Sequence, residues 1–334
     1  MKIMTKFKFW MLAILIVPFF VVSCEDDPDP DPDPVNEAEL LINWMESSDN
    51  PAGKYYVNTD MGEYTTASAL HDLIAADKAY VIDIRSTGDY DLGHIEDAVN
   101  LTEAEVAGHL DAVDLSEFSD IVIACTSGQT AAWLTSLLNM DGYDNVSSLK
   151  FGMCSWHSDF ADAWNNATSN DKSTFFTATA TEKAAEGDLP TLTTGFETAA
   201  EIYDVRWDAI IAEGFGAGAI TVANVYADLS SFYILNYWSA DDYVNMKHID
   251  GAIQYTPKVD IATDAALKTL PTDKTIVVYC YTGQGSANLT AYLRLVGYDA
   301  KSLKYGTNAM IHDDMTKSKW SPETPMEYDY VGMK

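Results

Sequence analysis

The stretch DIVIACTSGQTAAWLTSLL, residues 120–138, decides how this chain folds and where its chemistry lies. It opens with a short apolar run, reaches Cys125, passes through a small polar turn and continues as a helical pattern. Cys125 is one of only four cysteines among 334 residues. A strand, a glycine-containing turn and a helix place this cysteine at the carboxyl end of a strand, which is where sites form in open parallel sheets.

The same pattern returns at KTIVVYCYTGQGSANLTAYL, residues 274–293, with Cys280 standing 155 residues after Cys125. The repeat extends beyond the cysteines to two further pairs of segments, DGYDNVSSLKFG (141–152) with VGYDAKSLKYG (296–306) and GDYDLGHIEDAVNL (88–101) with DDYVNMKHIDGAIQY (241–255). A period of this length indicates duplicated domains rather than a short-period solenoid.

Short apolar runs alternate with helical patterns in both units. The first unit predicts strands at 79–84 and 120–124 and helices at 65–76 and 130–140. The second unit predicts strands at 232–236 and 275–279 and helices at 198–214 and 286–297. Strand, helix, strand order predicts a parallel sheet with helices on both faces. We therefore expect an α/β protein of two tandem domains.

The amino terminus has the layout of an export signal. Three lysines precede an apolar run at 9–22, which is short for a membrane span of roughly 20 residues, and VVSC ends at Cys24. This segment resembles the lipobox of bacterial lipoproteins, which implies a lipoprotein signal peptide over 1–23 and lipid attachment at Cys24. An uncleaved membrane anchor is the alternative. We expect a cell-envelope protein anchored to the membrane, on the periplasmic side or at the cell surface.

Composition sets the domain limits and the class of partner. The acidic, proline-rich run EDDPDPDPDPV predicts a linker over 24–36. The segment EGDLPTLTTG at 186–195 is rich in Gly, Pro and Thr, which predicts a domain boundary there. We expect a first domain at 37–190 and a second at 191–334. The formal net charge of −31 repels nucleic acid and anionic lipid headgroups, so neither is an expected partner.

Cysteine usage argues against a disulfide framework and a metal site. With Cys24 assigned to lipid, Cys125, Cys154 and Cys280 remain, and an odd number cannot form a complete set of disulfides. The chain has no CxxC and no HExxH, so we expect neither a bound metal nor a cofactor.

The position of Cys125 and Cys280 suits a reactive thiol. Backbone N–H groups of such a turn can form an anion-binding nest, and the start of the following helix adds partial positive charge. Both effects favour the thiolate, which is the nucleophilic form. The alternative for either cysteine is that it is a small buried core residue. The repeat of the cysteine in the same strand, turn and helix setting argues against this alternative.

Both units resemble a rhodanese domain. The resemblance rests on VIDIRSTGDYDLGHIEDAVNL (81–101) with IACTSGQTA (123–131), and on HIDGAIQYTP (248–257) with YCYTGQGSA (279–287). Rhodaneses are sulfurtransferases, which implies that a cysteine takes sulfane sulfur from a donor, holds it as a persulfide and passes it to cyanide or a thiol. This is covalent catalysis in two steps, with loop amides stabilising the anionic sulfur.

The resemblance also implies which residues form the sites. Cys125 and Cys280 carry the persulfide, and the remaining loop residues bind substrate: Thr126, Ser127, Gly128, Gln129 and Thr130 in the first unit, and Tyr281, Thr282, Gly283, Gln284 and Gly285 in the second. Asp83 and Arg85 match the family's Asp-x-Arg, with Arg85 expected to face the loop. Because the second unit has Asn236 and Trp238 there, we expect Cys125 to be the more reactive thiol.

Several readings stay open. Neither loop contains Arg or Lys, which argues against a phosphatase because a phosphate would lack its usual bidentate partner. Thiosulfate, mercaptopyruvate and a persulfide remain possible donors, and thiosulfate is expected to bind weakly. Cys154 is either a buried packing residue or a second thiol that resolves the persulfide. The alternative to an enzyme is a rhodanese-like binding or persulfide- and redox-sensing lipoprotein.

Overall fold

The computed structural model describes residues 36–53, 55 and 62–333. The predicted signal peptide, Cys24 and nearly all of the predicted linker lie outside the described residues. No helix in these ranges combines the length and apolar character that a membrane span requires.

The first half of the chain builds a five-stranded sheet and its helices. Its strands are β1 Tyr64–Thr65, β2 Ala79–Asp83, β3 Val99–Asn100, β4 Asp120–Ala124 and β5 Val146–Leu149. Its helices are α1 Glu37–Met45, α2 Ala67–Ala75, α3 Thr87–Leu92, α4 Glu103–Ala112, α5 Gln129–Met140 and α6 Asp162–Asn165.

The second half repeats this arrangement after a short strand, β6 Phe176–Thr177. Its other strands are β7 Ala219–Ile220, β8 Tyr233–Asn236, β9 His248–Ile249, β10 Ile253–Gln254, β11 Ile276–Tyr279 and β12 Ala300–Leu303. Its helices are α7 Ala199–Ala217, which is interrupted at Gly214, α8 Val222–Ala227, α9 Ala240–Asn245 and α10 Gln284–Leu295.

The two sheets have the same topology. The first runs β1-β5-β4-β2-β3 and the second runs β7-β12-β11-β8-β10, and all neighbours are parallel. The central strands β4 and β11 are apolar and almost wholly buried, as expected for strands covered on both faces. The predicted α/β class with two tandem parallel sheets is confirmed.

Each reactive-loop candidate begins where a central strand ends. Ala124 at the end of β4 pairs with Asp83 at the end of β2, and Tyr279 at the end of β11 pairs with Asn236 at the end of β8. Cys125 and Cys280 are the next residues along the chain. A glycine in the left-handed region follows each cysteine by three residues and caps the next helix, with φ of 84° at Gly128 and 82° at Gly283.

The two halves exchange their trailing segments. After leaving the first sheet, the chain pairs β6 antiparallel with β9 of the second half. The carboxyl-terminal segment does the reverse, because the Met326 and Tyr328 N–H groups donate to Ser155 and Trp156 in the first half. Its Val331 forms an antiparallel bridge with His94. Each half therefore forms backbone hydrogen bonds with the segment that follows the sheet of the other half.

Helices α5 and α10 pack together between the two halves. They are the helices that follow Cys125 and Cys280, so the two cysteine loops lie close to the same interface. The Ser136 hydroxyl donates to the Asn288 carbonyl at 3.0 Å across it. On the other side of this core, α1 packs against α7 through Leu41, Ile42 and Tyr203.

Candidate active site

The Cys125 loop forms the predicted nest of amides. The Cys125 Sγ accepts hydrogen bonds from the Gly128 and Ala131 N–H groups at 3.2 and 3.3 Å. The residue is only 5 % exposed. Burial raises the pKa of the Cys125 thiol, and the carboxylate of Asp83 adds to the rise, while the amides of Ala131, Gly128 and Ser127 lower it in part. The structure thus differs from the expected thiolate, since lost hydration outweighs the nest.

Arg85 is held in a buried ion pair. Its side chain pairs with Asp83, with Nη2 to Oδ2 at 2.6 Å, and Nη2 also donates to the Gly93 carbonyl at 2.6 Å. The guanidinium carbon lies 5.5 Å from the centre of the Phe160 ring. These contacts satisfy the buried cation, and a role of Arg85 in facing the Cys125 loop stays a prediction.

Aromatic side chains cover the Cys125 loop. Trp164, at the centre of α6, is fully buried, and its Nε1 donates to the Ser127 carbonyl at 3.1 Å. Its ring stacks on Trp320 at 5.6 Å and meets Phe151 and Tyr305 edge-on. A packed cluster drawn from both halves therefore lies against the first loop at Ser127, while Thr126 is exposed.

The Cys280 loop has the same backbone but a different neighbourhood. The Cys280 Sγ accepts from the Ser286 N–H at 3.3 Å, and the Ser286 hydroxyl lies 3.7 Å from the same sulfur. Trp238, at the position of Arg85, stacks on Tyr281 at 4.8 Å. The Tyr281 hydroxyl donates to Asp242, and burial with this contact raises the pKa of Tyr281, so the phenol keeps its proton.

Cys280 lines a cavity of about 540 Å³. The other lining residues come from both halves of the chain: Gly62, Glu63, Tyr64, Lys150, Tyr237, Pro257, Lys258, Tyr281, Thr282, Gln284, Gly285, Asn288 and Ser318. Cavities of this size suit organic ligands. Cys125 is not among the described residues that line this cavity.

The segments that follow the two cysteine loops differ between the halves. Gly152–Ser155 and Gly306–Ala309 are matching 3₁₀ turns, so Cys154 corresponds to Asn308. Beyond its turn the first half forms helix α6, and the indole of Trp164 in this helix contacts the Cys125 loop. In the second half Ser318, with a left-handed backbone φ of 48°, lines the Cys280 cavity. The two halves therefore place different residues beside their cysteine loops.

The loop glutamines join the two halves. The Gln129 Oε1 accepts from the Tyr305 N–H at 2.7 Å, and the Gln284 Oε1 accepts from the Phe151 N–H at 2.9 Å. Gln284 also donates to the Gly128 carbonyl at 3.2 Å. Both side chains are 1 % exposed. The two glutamines thus form a reciprocal contact between the halves, and Gln284 also borders the cavity.

The other predicted loop residues divide between the two sites. Tyr281, Thr282 and Gly285 line the cavity, and Gly283 caps α10. In the first half Thr126 is exposed, and the Ser127 hydroxyl accepts from the Gln129 Nε2 at 3.0 Å. The remaining two loop residues also lie outside the cavity: Gly128, the α5 cap, and half-buried Thr130.

Cys154 and the two matching histidines are held by local contacts. The Cys154 Sγ donates to the Phe160 carbonyl at 2.9 Å, and burial raises the pKa of this thiol to about 12. His94 and His248 stack on Tyr90 and Tyr243. Each Nδ1 contacts the carbonyl of that tyrosine at 2.8 Å. These arrangements favour packing roles.

Sequence reasoning missed the residues that the first half contributes to the Cys280 cavity, chiefly Tyr64 and Lys150. It also missed Asn288, Lys258 and Ser318 in the second half. No group of three or more His, Cys, Asp or Glu side chains within the described ranges is placed to hold a metal ion.

A family comparison matches both halves. The model for the rhodanese-like domain covers residues 66–159 and 228–313, which is more than half of the chain. The chain belongs to the rhodanese-like domain family. It carries this domain twice, in the two sheets described above.

Individual relatives each match about one rhodanese-like domain. The thiosulfate sulfurtransferase GlpE of Shewanella oneidensis is 26% identical over 95 residues, which cover 28% of this chain and 92% of that protein. The tRNA uridine(34) hydroxylase of Buchnera aphidicola is 25% identical over 109 residues, 31% of this chain and 35% of that protein. A rhodanese-related protein from Thermoplasma volcanium has 20% identity and a TM-score of 0.24, over 27% of this chain and 86% of that structure.

Proposed function

We propose that this chain is a sulfurtransferase in which Cys280 carries the persulfide. The observation that supports this most is that Cys280 lines a cavity of about 540 Å³, whereas Trp164 and its neighbours cover the Cys125 loop. The name of the matched Shewanella oneidensis relative supports the reaction class. This proposal departs from the sequence-based expectation that Cys125 is the more reactive thiol; the two cysteines are equally buried, at 5 % exposed each.

The reaction proceeds in two displacements that need no external oxidant. The Cys280 thiolate attacks the sulfane sulfur of a donor such as thiosulfate, an S–S bond forms, and the donor's S–S bond breaks with its electron pair leaving on sulfite. A thiol or cyanide then attacks the outer sulfur of the persulfide, and the electron pair returns to the Cys280 Sγ. The Ser286 N–H, at 3.3 Å from that Sγ, stabilises negative charge on sulfur in both steps.

The proposal names the sulfur donor and the sulfur acceptor only as chemical classes. Thiosulfate, mercaptopyruvate and persulfides are the candidate donors, and a thiol or cyanide is the acceptor. A binding or sensing role is the alternative for the first domain, because its surface forms part of the Cys280 cavity while Cys125 is not among the described lining residues.

We also propose a location in the cell envelope. VVSC at 21–24 follows a basic and then an apolar segment, so Cys24 would receive lipid and leave the catalytic domains outside the cytoplasm. A Cys24→Ala variant should then leave the membrane fraction. Recovery of the wild-type chain in the cytoplasmic fraction would contradict this location.

Turnover with thiosulfate and cyanide tests the proposed chemistry. Thiocyanate formation should fall at least about 100-fold in Cys280→Ser, because the nucleophile is lost. The matched control Cys125→Ser should stay within about twofold of wild type, provided that its unfolding midpoint is unchanged. Equal loss in both variants, or loss in Cys125→Ser alone, would refute the assignment to Cys280.

A further inference from the structure

The Cys280 loop is packed against the turn that follows β12. The Thr307 N–H donates to the Cys280 carbonyl at 3.1 Å. The Tyr281 carbonyl accepts from the backbone N–H of Asn308 at 3.3 Å and from its Nδ2 at 2.7 Å. Gly306 in the same turn lies so close to the loop that a Cβ there would collide with the Cys280 carbonyl oxygen. The backbone of the loop is therefore held in place by this turn.

Gln129 of the first domain reaches the point where this turn and the Cys280 loop meet. Its Oε1 accepts from the Tyr305 N–H, at the start of the turn, at 2.7 Å. The same oxygen lies against Gly283, because a Cβ on that glycine would collide with it. Gly283 has a left-handed φ of 82° and caps α10. One side chain of the first domain thus contacts two elements that hold the cysteine of the second.

The Gln129 amide has a single orientation that satisfies its surroundings. The side chain is 1 % exposed, and its Nε2 donates to the Ser127 hydroxyl at 3.0 Å. A backbone N–H only donates, so the amide oxygen faces Tyr305 and the amide nitrogen faces Ser127. A buried N–H that loses its acceptor is strongly disfavoured. The contact is therefore a specific hydrogen bond rather than general packing.

Sulfur transfer at Cys280 depends on how firmly this loop is held. The Ser286 N–H, in the first turn of α10, lies 3.3 Å from the Cys280 Sγ. A donor stabilises charge on sulfur most effectively when it is in place before the charge develops. Because the Gly283 cap sets where α10 begins, a contact that holds Gly283 also holds the Ser286 N–H.

We propose that Gln129 is a positioning residue of the Cys280 site, supplied by the first domain. It is not among the described residues that line the cavity, and it acts through Tyr305 and Gly283. This inference rests on the proposed assignment of the persulfide to Cys280. It gives the first domain a part in that reaction, because its own cysteine loop supports the loop of the second domain.

The repeat carries the mirror image of this contact. The Gln284 Oε1 accepts from the Phe151 N–H at 2.9 Å, and Phe151 and Tyr305 hold the same left-handed position, each with φ of 63°, before matching turns. The support therefore crosses between the domains. Truncating Gln129 should disturb the Cys280 loop more than the Cys125 loop that contains it, whereas a role confined to the first domain predicts the reverse.

Hydrogen exchange of the full chain tests the support of the loop without turnover. Exchange at 280–287 should be about tenfold faster in Gln129→Ala than in wild type, and exchange at β8 should stay within about twofold. The control Trp207→Phe removes another hydrogen bond between the domains, from Nε1 to the Leu137 carbonyl at 3.1 Å, and should leave 280–287 within about twofold. Unchanged exchange at 280–287 in Gln129→Ala, or a larger increase at 125–131, would overturn the inference.

Gln129→Met separates the hydrogen bond from the packing of the side chain. Methionine fills a similar volume beside Gly283 but offers no strong acceptor to the Tyr305 N–H. Exchange at 280–287 should therefore be nearly as fast in Gln129→Met as in Gln129→Ala. Exchange as slow as in wild type would show that packing alone supports the loop, and Gln129 would lose its assigned role.

Steady-state kinetics connect the loop to sulfur transfer. With thiosulfate and cyanide, Gln129→Ala should lower kcat about tenfold and change KM for thiosulfate less than about twofold, because the cavity lining stays and the loop amides move. If exchange rises while kcat stays at the wild-type value, this inference is wrong and the proposed function stands. If exchange rises but wild type transfers no sulfur, Gln129 still positions the loop and only the sulfurtransferase proposal fails.

Discussion

The two cysteine loops of this chain share a backbone and differ in what lies over them. Both follow a central strand, both turn through a left-handed glycine, and both present amides to the sulfur. Over Cys125 lies the indole of Trp164, and beside Cys280 lies a cavity lined by Ser318. The comparison teaches that two loops with the same backbone can lie in different surroundings, so the side chains packed around each loop have to be considered with it.

The charged motif beside the loop gives a second contrast. Asp83 and Arg85 neutralise each other in a buried pair, and the Asp83 carboxylate raises the pKa of Cys125. The second domain has Asn236 and Trp238 at these two positions, so it lacks this buried ion pair. A motif that suggests a catalytic cation in the sequence thus serves the first domain as a structural ion pair.

A bulky side chain in the Cys280 cavity should have the largest effect on turnover. Ser318→Trp adds an indole to the lining of the Cys280 cavity, so kcat/KM for thiosulfate should fall about 100-fold as access to Cys280 is lost. Ser318→Ala, which keeps the cavity open, should retain wild-type turnover. Iodoacetamide labelling of Cys280 should fall in step with turnover in Ser318→Trp. Full activity in that variant would show that the cavity is not the route to Cys280.

Removing the Trp164 side chain should mainly lower the free energy of unfolding. Trp164 is fully buried, and large aromatic truncations in a core cost about 3–5 kcal/mol. Trp164→Ala should therefore lower the free energy of unfolding in urea by that amount, and it should speed alkylation of Cys125. Trp164→Phe should lie between the two on both measures. If Trp164→Ala leaves Cys125 as slow as before, Trp164 does not close the first site.

The glutamine contacts between the domains should give a smaller effect. Removing a side chain that pairs with a buried amide leaves that amide unsatisfied, which costs about 1–3 kcal/mol. Gln129→Ala and Gln284→Ala should each destabilise the chain by this amount, through the Tyr305 and Phe151 N–H groups. Thr126→Ala, at an exposed position of the same loop, is the control and should stay within about 0.5 kcal/mol. Two glutamine variants as stable as this control would contradict the reciprocal contact.

Much of the fold follows from local pattern. The apolar runs at 120–124 and 275–279 and the helices after them are found where periodicity predicts them, because buried parallel strands and amphipathic helices leave strong signals. The position of the cysteines at strand ends follows in the same way. The exchange of trailing segments between the halves was not predicted, because β6 and the segment around Val331 pair too briefly to leave a pattern.

The site was less predictable because its environment is assembled from distant residues. Nothing local in SLKFG indicates that Lys150 borders the cysteine of the other domain. The balance at Cys125 depends on burial by Trp164 and on the Asp83 carboxylate, and neither contribution can be weighed from a loop sequence. The loop sequence does not show that Gln129 and Gln284 accept hydrogen bonds from backbone N–H groups of the opposite domain.

The position of the sulfur after one half-reaction tests the central comparison most directly. The wild-type chain is incubated with thiosulfate without an acceptor, the free thiols and persulfides are blocked, and the peptides containing Cys125 and Cys280 are compared by mass. We predict that the mass of one sulfur atom is added to the Cys280 peptide, with at least about tenfold less on the Cys125 peptide. Sulfur found mainly on Cys125 would contradict the account, because Cys125 and not Cys280 would then carry the persulfide.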